Sequence, residues 1–157
     1  MYLKRLEMEN FKSFKGEVVV PYERGFTAIT GPNGSGKSNC GDAIQFVLGY
    51  KSAKDVRASN VLDLLFNGGK NNKPAKFCKV SLIFDNPEDS DGSRRLKIDA
   101  DEVHFTRTVR KTRSGSASSN YYLNGTSCRK RDVTDVFLGT GLGPRSYAII
   151  EQGMISQ

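Results

Sequence analysis

The run Gly31-Pro32-Asn33-Gly34-Ser35-Gly36-Lys37-Ser38-Asn39 has the residue types and spacing of a phosphate-binding loop, G-x-x-x-x-G-K-S. Gly34 and Gly36 can adopt backbone angles closed to other residues, which lets successive N–H groups turn inward on a phosphate. The Lys37 ammonium can reach the β- and γ-phosphates as a point charge, and the Ser38 hydroxyl suits Mg²⁺. The flanks fit the same chemistry. Gly25 to Thr30 is short, apolar and β-prone, and predicts a strand feeding the loop. After the loop, Cys40, Ala43, Ile44, Val47 and Leu48 fall at i, i+3, i+4, i+7 and i+8, the apolar face of a helix, with Gly49 as its stop. A phosphate would then lie at a helix N-terminus, where the dipole favours negative charge.

Hydrolysis needs more than a loop. A carboxylate must help hold Mg²⁺, and another group must place the attacking water. Asp85, at the end of the apolar run Val80-Ser81-Leu82-Ile83-Phe84, has the local look of that acid. Its run follows a basic loop rather than a helix, however, and the next residue is Asn86, not a second acid. Asp85-Asn86-Pro87 reads better as a turn. Gly139-Thr140-Gly141-Leu142-Gly143-Pro144 imitates a dinucleotide fingerprint, but a helical pattern precedes it and a proline follows, so it reads as a helix stop and a loop. The single histidine, His104, alternates onto the polar face of a strand. No nucleophile triad or zinc set presents itself.

The elements around the loop alternate less regularly than a doubly wound fold requires. Residues 2–9 and Val18-Val19-Val20, stopped by Pro21, read as strands. Residues 51–60 are polar and read as irregular, and Val61 to Phe66 as one or two helical turns. Asn67 to Pro74 reads as a flexible basic loop. Phe77 to Phe84 and Glu102 to Arg110 read as strands, the second with Val103, Phe105 and Val109 on one face and His104, Thr106, Thr108 and Arg110 on the other. Ser114 to Ser119 reads as a low-complexity loop, and Asn120 to Leu123 followed by Asn124-Gly125 as a hairpin. Lys130 to Leu138 reads as a short helix with Val133, Val136 and Phe137 inward, and Tyr147 to Ile150 as a last strand. Only one βα unit is present; the other strands are joined by hairpins or loops, which implies antiparallel pairing.

With 157 residues, 37% of them apolar, the chain is one domain, or part of one, and can bury a core. A net charge of +7 and a pI near 9.4 suit an acidic partner such as nucleic acid. Cys40, Cys78 and Cys128 have no metal-ligand spacing, and an odd count without a secretory leader suggests reduced thiols in the cytosol. No apolar run approaches membrane-spanning length, so no membrane partner is expected.

Taken in order, Phe11-Lys12-Ser13-Phe14, the loop itself, Asp42-Ala43-Ile44, Val47-Leu48-Gly49, Arg57-Ala58-Ser59, Asp63-Leu64-Leu65-Phe66, Tyr122-Leu123-Asn124-Gly125 and Ile149-Ile150-Glu151-Gln152-Gly153 resemble the N-terminal head segment of the SMC (structural maintenance of chromosomes) ATPases. The resemblance covers essentially the whole chain, and Phe-Lys-Ser-Phe sets it apart from RecF and RecN relatives. It implies an α/β fold: the N-terminal lobe of an ABC-type P-loop ATPase head, a largely antiparallel β-subdomain with one P-loop βα unit. Residues 1–157 would be one lobe of a split head, an N-terminal fragment of a longer protein. The signature motif and the acid pair would come from a C-terminal lobe beyond a coiled coil and hinge.

The resemblance also implies roles. Pro32, Asn33, Gly34, Ser35, Gly36, Lys37, Ser38 and Asn39 would wrap ATP, with Lys12, Ser13 and Asp63 close to the nucleotide. Ser38 and Gln152 would approach Mg²⁺, with Gln152 also near the attacking water; an amide can accept from water and coordinate weakly. Arg57 matches the arginine that the family uses in DNA-stimulated hydrolysis, and its charge could stabilise the transition state. Catalysis would thus rest on Lys37, Gln152 and Arg57. Expected partners are the C-terminal lobe, a second SMC head in a homodimer, a kleisin subunit and double-stranded DNA, in the cytoplasm at the nucleoid. Candidate DNA contacts are Lys70, Lys73 and Lys76, then Arg110, Lys111 and Arg113, then Arg129, Lys130 and Arg131. No aromatics interleave them, so binding should be blind to sequence and steeply salt-dependent.

Overall fold

The computed structural model describes residues 1–49 and 60–142. Its scaffold is a six-stranded, wholly antiparallel sheet: β1 (Tyr2–Glu9), β2 (Glu17–Pro21), β3 (Phe77–Asp85), β4 (Glu102–Lys111), β5 (Ala117–Leu123) and β6 (Thr126–Cys128), in the order β2-β1-β3-β4-β5-β6. Helix α1 (Lys37–Leu48) and the short α2 (Lys130–Val136) pack on the sheet, and one 3-10 turn spans Val61–Leu64.

Period-two alternation aims one side chain in two at α1. Leu6 and Met8 of β1, Cys78, Val80, Leu82 and Phe84 of β3, and Val103, Phe105 and Val109 of β4 are buried there against Ala43, Phe46 and Val47 of α1. Phe137, just past α2, closes the far end in an aromatic cluster, its ring centroid 4.6 Å from Phe105 and 5.5 Å from Phe84. β3 lies between β1 and β4, and its opposite face is covered too. Ser81 and Ile83 are buried, and Ser81 Oγ shares a 2.7 Å hydrogen bond with Thr106 Oγ1. That double burial explains the run from Val80 to Phe84, apolar but for Ser81, whose hydroxyl is satisfied by Thr106. The hairpin between β5 and β6 turns at Asn124 and Gly125, both at positive φ (47° and 81°), as a two-residue primed turn requires.

Two expectations are corrected. Residues 25–30 do not form a strand, because no described residue supplies a hydrogen-bonding neighbour. Tyr22 N donates to Lys4 O, and Arg24 pairs with Asp85 and lies over the Tyr2 ring, which fixes this segment's start at one end of β1. The phosphate loop that follows sits beyond the other end, so six residues cross roughly 20 Å and must run extended. Phe26 is 98% exposed and Ile29 43%. The second correction concerns the serine-rich stretch. Its second half is strand, since β5 begins at Ala117 and pairs with Lys111; the partner edge of β4 overrides weak local β propensity. The expected strand at 147–150 lies outside the described residues.

Candidate functional site

The phosphate loop forms a tight turn into α1. Gly34 and Gly36 take φ of 81° and 93°, Ser35 N donates to Pro32 O (3.2 Å), and Asn39 N donates to Gly36 O (2.9 Å). Gly36 is the residue before the helix and has no side-chain cap, so N–H groups of the first turn stay available to a ligand. Lys37 lies back along the loop, its Nζ donating to the carbonyls of Gly31 and Pro32, the latter at 2.8 Å. Residues 31–35 and Ser38 are exposed.

The segment after β1 braces this loop. A Cβ on Gly36 would come within 3.0 Å of the Phe14 ring and 3.2 Å of Ser13 Oγ, and Asn39 Nδ2 donates to Ser13 Oγ at 2.8 Å. Lys12 sits at φ 50°, a left-handed conformation that costs a non-glycine residue about 1 kcal/mol. Two contacts hold it there: its N–H donates to Leu64 O (2.8 Å), and its Nζ pairs with Asp42 at 2.6 Å. That ion pair is largely buried, with the side chains 12% and 8% exposed. Lys12, Ser13 and the loop therefore form one constellation. Asp63 joins it through its neighbour Leu64, while its own carboxylate accepts from Asn60 N at 2.8 Å in a capping box. A cavity of about 310 Å³ beside it is lined by Leu62, Asp63, Leu65, Phe66 and Lys111 among others. Arg57 and Gln152 lie outside the described residues.

Asp85 is not brought to the loop. It pairs with Tyr2 in the sheet, whereas Glu9, four residues before Ser13, pairs with Lys79. β1 alone spans roughly 23 Å between those ends. The Asp85 carboxylate is engaged by Arg24 Nη2 at 3.2 Å. Asn86, read as part of a turn, is fully buried and pins the chain that follows. Its Nδ2 donates to the carbonyls of Leu96, Ile98 and Ala100 at 3.1–3.2 Å, and its Oδ1 accepts from Leu96 N.

All nine candidate DNA contacts are exposed. Lys76, Arg110 and Lys111 gather where β4 ends beside the start of β3: Lys111 N donates to Lys76 O, and Arg110 lies over the Phe77 ring. Lys70 and Lys73 precede this edge and Arg113 follows it. Arg129, Lys130 and Arg131 open α2 elsewhere. Arg129 and Arg131 pair with Asp132 and Asp135, and the Lys130 stem lies against Gly49 at the end of α1.

Two residues of this region escaped the sequence. Asp42 falls four residues after Ser38, one turn along α1, a spacing that could have drawn attention to it. Arg107 shares the parity of Val103, Phe105 and Val109, which marks it as facing inward. Its guanidinium lies between the Phe46 and Tyr121 rings, 4.3 and 4.8 Å from their centroids, and Nη1 donates to Phe46 O at 2.9 Å. Burial pushes its pKa below the ordinary guanidinium value.

An antiparallel sheet whose one long helix among the described residues opens with a phosphate loop defines a mixed α/β P-loop lobe. The chain belongs to the RecF/RecN/SMC N terminal domain family, whose model matches residues 2–146. It is 47% identical over 156 residues to the chromosome partition protein Smc of Coxiella burnetii and 43% identical over 157 residues to that of Pyrococcus furiosus, in each case across 99% of this chain. The chain spans about 13% of the length of those curated relatives. One similar solved structure comes from work on ATP-driven dimerization and DNA stimulated activation of SMC ATPases. Its TM-score is 0.88 at 44% identity, over 99% of this chain and 89% of that one. Another, an SmcHead bound to the C-winged helix domain of ScpA, gives 0.86 at 43% identity, over 99% of this chain and 45% of that one. Among the described residues no helix is long and apolar enough to cross a membrane.

Proposed function

We propose that this chain is the ATP-binding half of an SMC-type ATPase head that serves chromosome condensation and segregation. The observation that carries this reading is the open loop Gly31–Asn39, seated on Ser13 and Phe14 at the N-terminus of α1. Glycines at positive φ, free N–H groups and the Lys37 ammonium match a polyphosphate, and the exposed Ser38 hydroxyl matches Mg²⁺. Lys37 would exchange its loop carbonyls for phosphate oxygens. Lys12, through Asp42, and Ser13, through Asn39, orient the first turns of α1 under the ligand. Gln152 and Arg57 complete the set by family resemblance, Gln152 toward Mg²⁺ and water, Arg57 toward the developing charge. Mg²⁺-ATP, when bound, supplies the phosphoryl group that such heads transfer to water.

Hydrolysis by this lobe would require a C-terminal lobe and a second head. The apolar segment 25–30 supports the first requirement: it forms no strand with the described residues and leaves Phe26 and Ile29 exposed beside the loop, suited to receive neighbours from another lobe. DNA would engage the basic edge around Lys76, Arg110 and Lys111 and the start of α2. A kleisin and a nucleoid location in the cytoplasm follow from the same reading. The test is multiple-turnover ATP hydrolysis by the 157-residue chain with Mg²⁺, alone and then with the separately expressed C-terminal lobe, Lys37→Ala serving as control. Turnover that appears only on adding the lobe and disappears in Lys37→Ala is expected. Robust turnover by the chain alone would sink the split-head reading.

A further inference from the structure

The Arg107 guanidinium occupies a costly position. It points into the core side of β4, and among the described residues no carboxylate lies within ion-pair distance of it. A cation held there must be balanced by weaker means. Three are visible. The Phe46 and Tyr121 rings present their faces at 4.3 and 4.8 Å. The Phe46 carbonyl belongs to the last turn of α1, at the negative end of the helix dipole. Ser119 Oγ accepts from Arg107 Nε at 3.0 Å.

The stack continues beyond the cation. The Phe46 ring lies 5.6 Å from that of Phe11, and Phe11 leads into Lys12 and Ser13, the two residues that hold the opening turns of α1. Tyr121, Arg107, Phe46 and Phe11 thus form one column from β5 to the segment whose Ser13 and Phe14 brace the phosphate loop. An apolar residue in place of Arg107 would fill the space without desolvating a charge, but it could not bond the helix carbonyl. Lysine could bond it, but it has no planar face to set between two rings.

We propose that Arg107 is a positioning residue for the phosphate loop: by gripping the last turn of α1 and wedging between Phe46 and Tyr121, it fixes the seat of the helix whose other end carries Gly36 to Ser38, and so sets how tightly nucleotide is held. This rests on the nucleotide-binding reading above. Arg107 contacts the end of α1 opposite Gly36, and its effect runs through the placement of α1.

The test compares wild type, Arg107→Lys and Lys37→Ala in the full-length protein, reading ATP affinity with a fluorescent ATP analogue, KM and kcat for hydrolysis, and the thermal midpoint. In Arg107→Lys, Kd and KM for ATP should rise on the order of tenfold, as small misplacements of a binding group do. At saturating ATP, kcat should stay within about twofold, since the altered contact is uniform between ground and transition states. A purely structural role would instead lower the midpoint and leave Kd and KM of the folded protein unchanged, and that result overturns the proposal. Should Arg107→Lys fail to fold, Tyr121→Leu removes one stacking face while the bond to Phe46 O remains; a raised KM supports the proposal and an unchanged one refutes it. Wild type that binds no ATP would defeat the nucleotide reading itself. Wild type that binds ATP, loses it in Lys37→Ala and keeps its affinity in Arg107→Lys would defeat this inference alone.

Discussion

Gly36 answers two demands at once. Its φ of 93° is closed to side chains, and the space where a Cβ would stand is taken by the Phe14 ring and Ser13 Oγ. Gly36→Ala should therefore shift the loop off its seat and weaken ATP binding by at least about tenfold, while costing only about 1–2 kcal/mol of stability; titration with an ATP analogue beside a urea melt separates the two. Glu102 sets a different kind of residue-scale expectation. Hydrogen bonds from Lys4 first, then His104, hold its carboxyl down to about 2, with Arg5 adding charge at 3.5 Å. A carboxyl more acidic in the folded state stabilises that state above its unfolded pKa near 4.5, and the benefit fades as pH falls toward 2. The gap in thermal midpoint between wild type and Glu102→Gln should thus be full above about pH 5 and shrink progressively below it; a gap independent of pH would refute this account.

At the scale of elements, Asn86 organises the passage from β3 to β4. One buried amide satisfies three carbonyls and one N–H of residues 96–100, and the Asn86 carbonyl accepts from Arg94 Nη1 at 2.7 Å. Asn86→Ala would strip the amide's bonds from these residues, leaving the Leu96 N–H and the Ala100 carbonyl without this partner while the Leu96 and Ile98 carbonyls keep their backbone donors; it should cost about 3 kcal/mol and speed hydrogen exchange across residues 94–101 before the sheet itself opens. Nothing in Asp85-Asn86-Pro87 distinguishes this pin from an ordinary turn, because its partners are named only by tertiary contact. Elements whose signals are local were legible: the loop from its glycines, α1 from its apolar spacing and Gly49, the last hairpin from Asn124-Gly125. Segment 25–30 misled for the opposite reason. Its composition is that of a strand, but a strand exists only with a neighbour, and the neighbour is not among the described residues. Arg107 runs against the expectation that a charged side chain faces water, and only the alternation from Val103 to Val109 marks it as inward.

For the whole molecule, the pairing of a basic edge with the uncovered apolar segment 25–30 predicts two separable behaviours. Phe26 is 98% exposed, so Phe26→Glu should leave the chain's own thermal midpoint nearly unchanged and improve its solubility. The same change should abolish assembly with the C-terminal lobe, read by co-elution in size exclusion. Retained assembly would show that segment 25–30 is not the docking strand. DNA affinity should follow the other feature. If about six of the nine basic residues touch phosphates, log Kd against log salt should have a slope near 5, and Phe26→Glu should not alter it.

The burial of the three thiols has a further consequence. Cys78 is wholly enclosed under the central strand and pushed up to about 12 by burial, Cys40 is enclosed in α1 a turn past Gly36, and Cys128 is half-exposed. A thiol-specific label offered to the native protein should mark Cys128 first. Cys40 should react only when α1 lifts, and Cys78 only when the sheet comes apart. The chain thus carries its own graded clock of opening. ATP should slow its middle hand, Cys40, and leave the other two running as before.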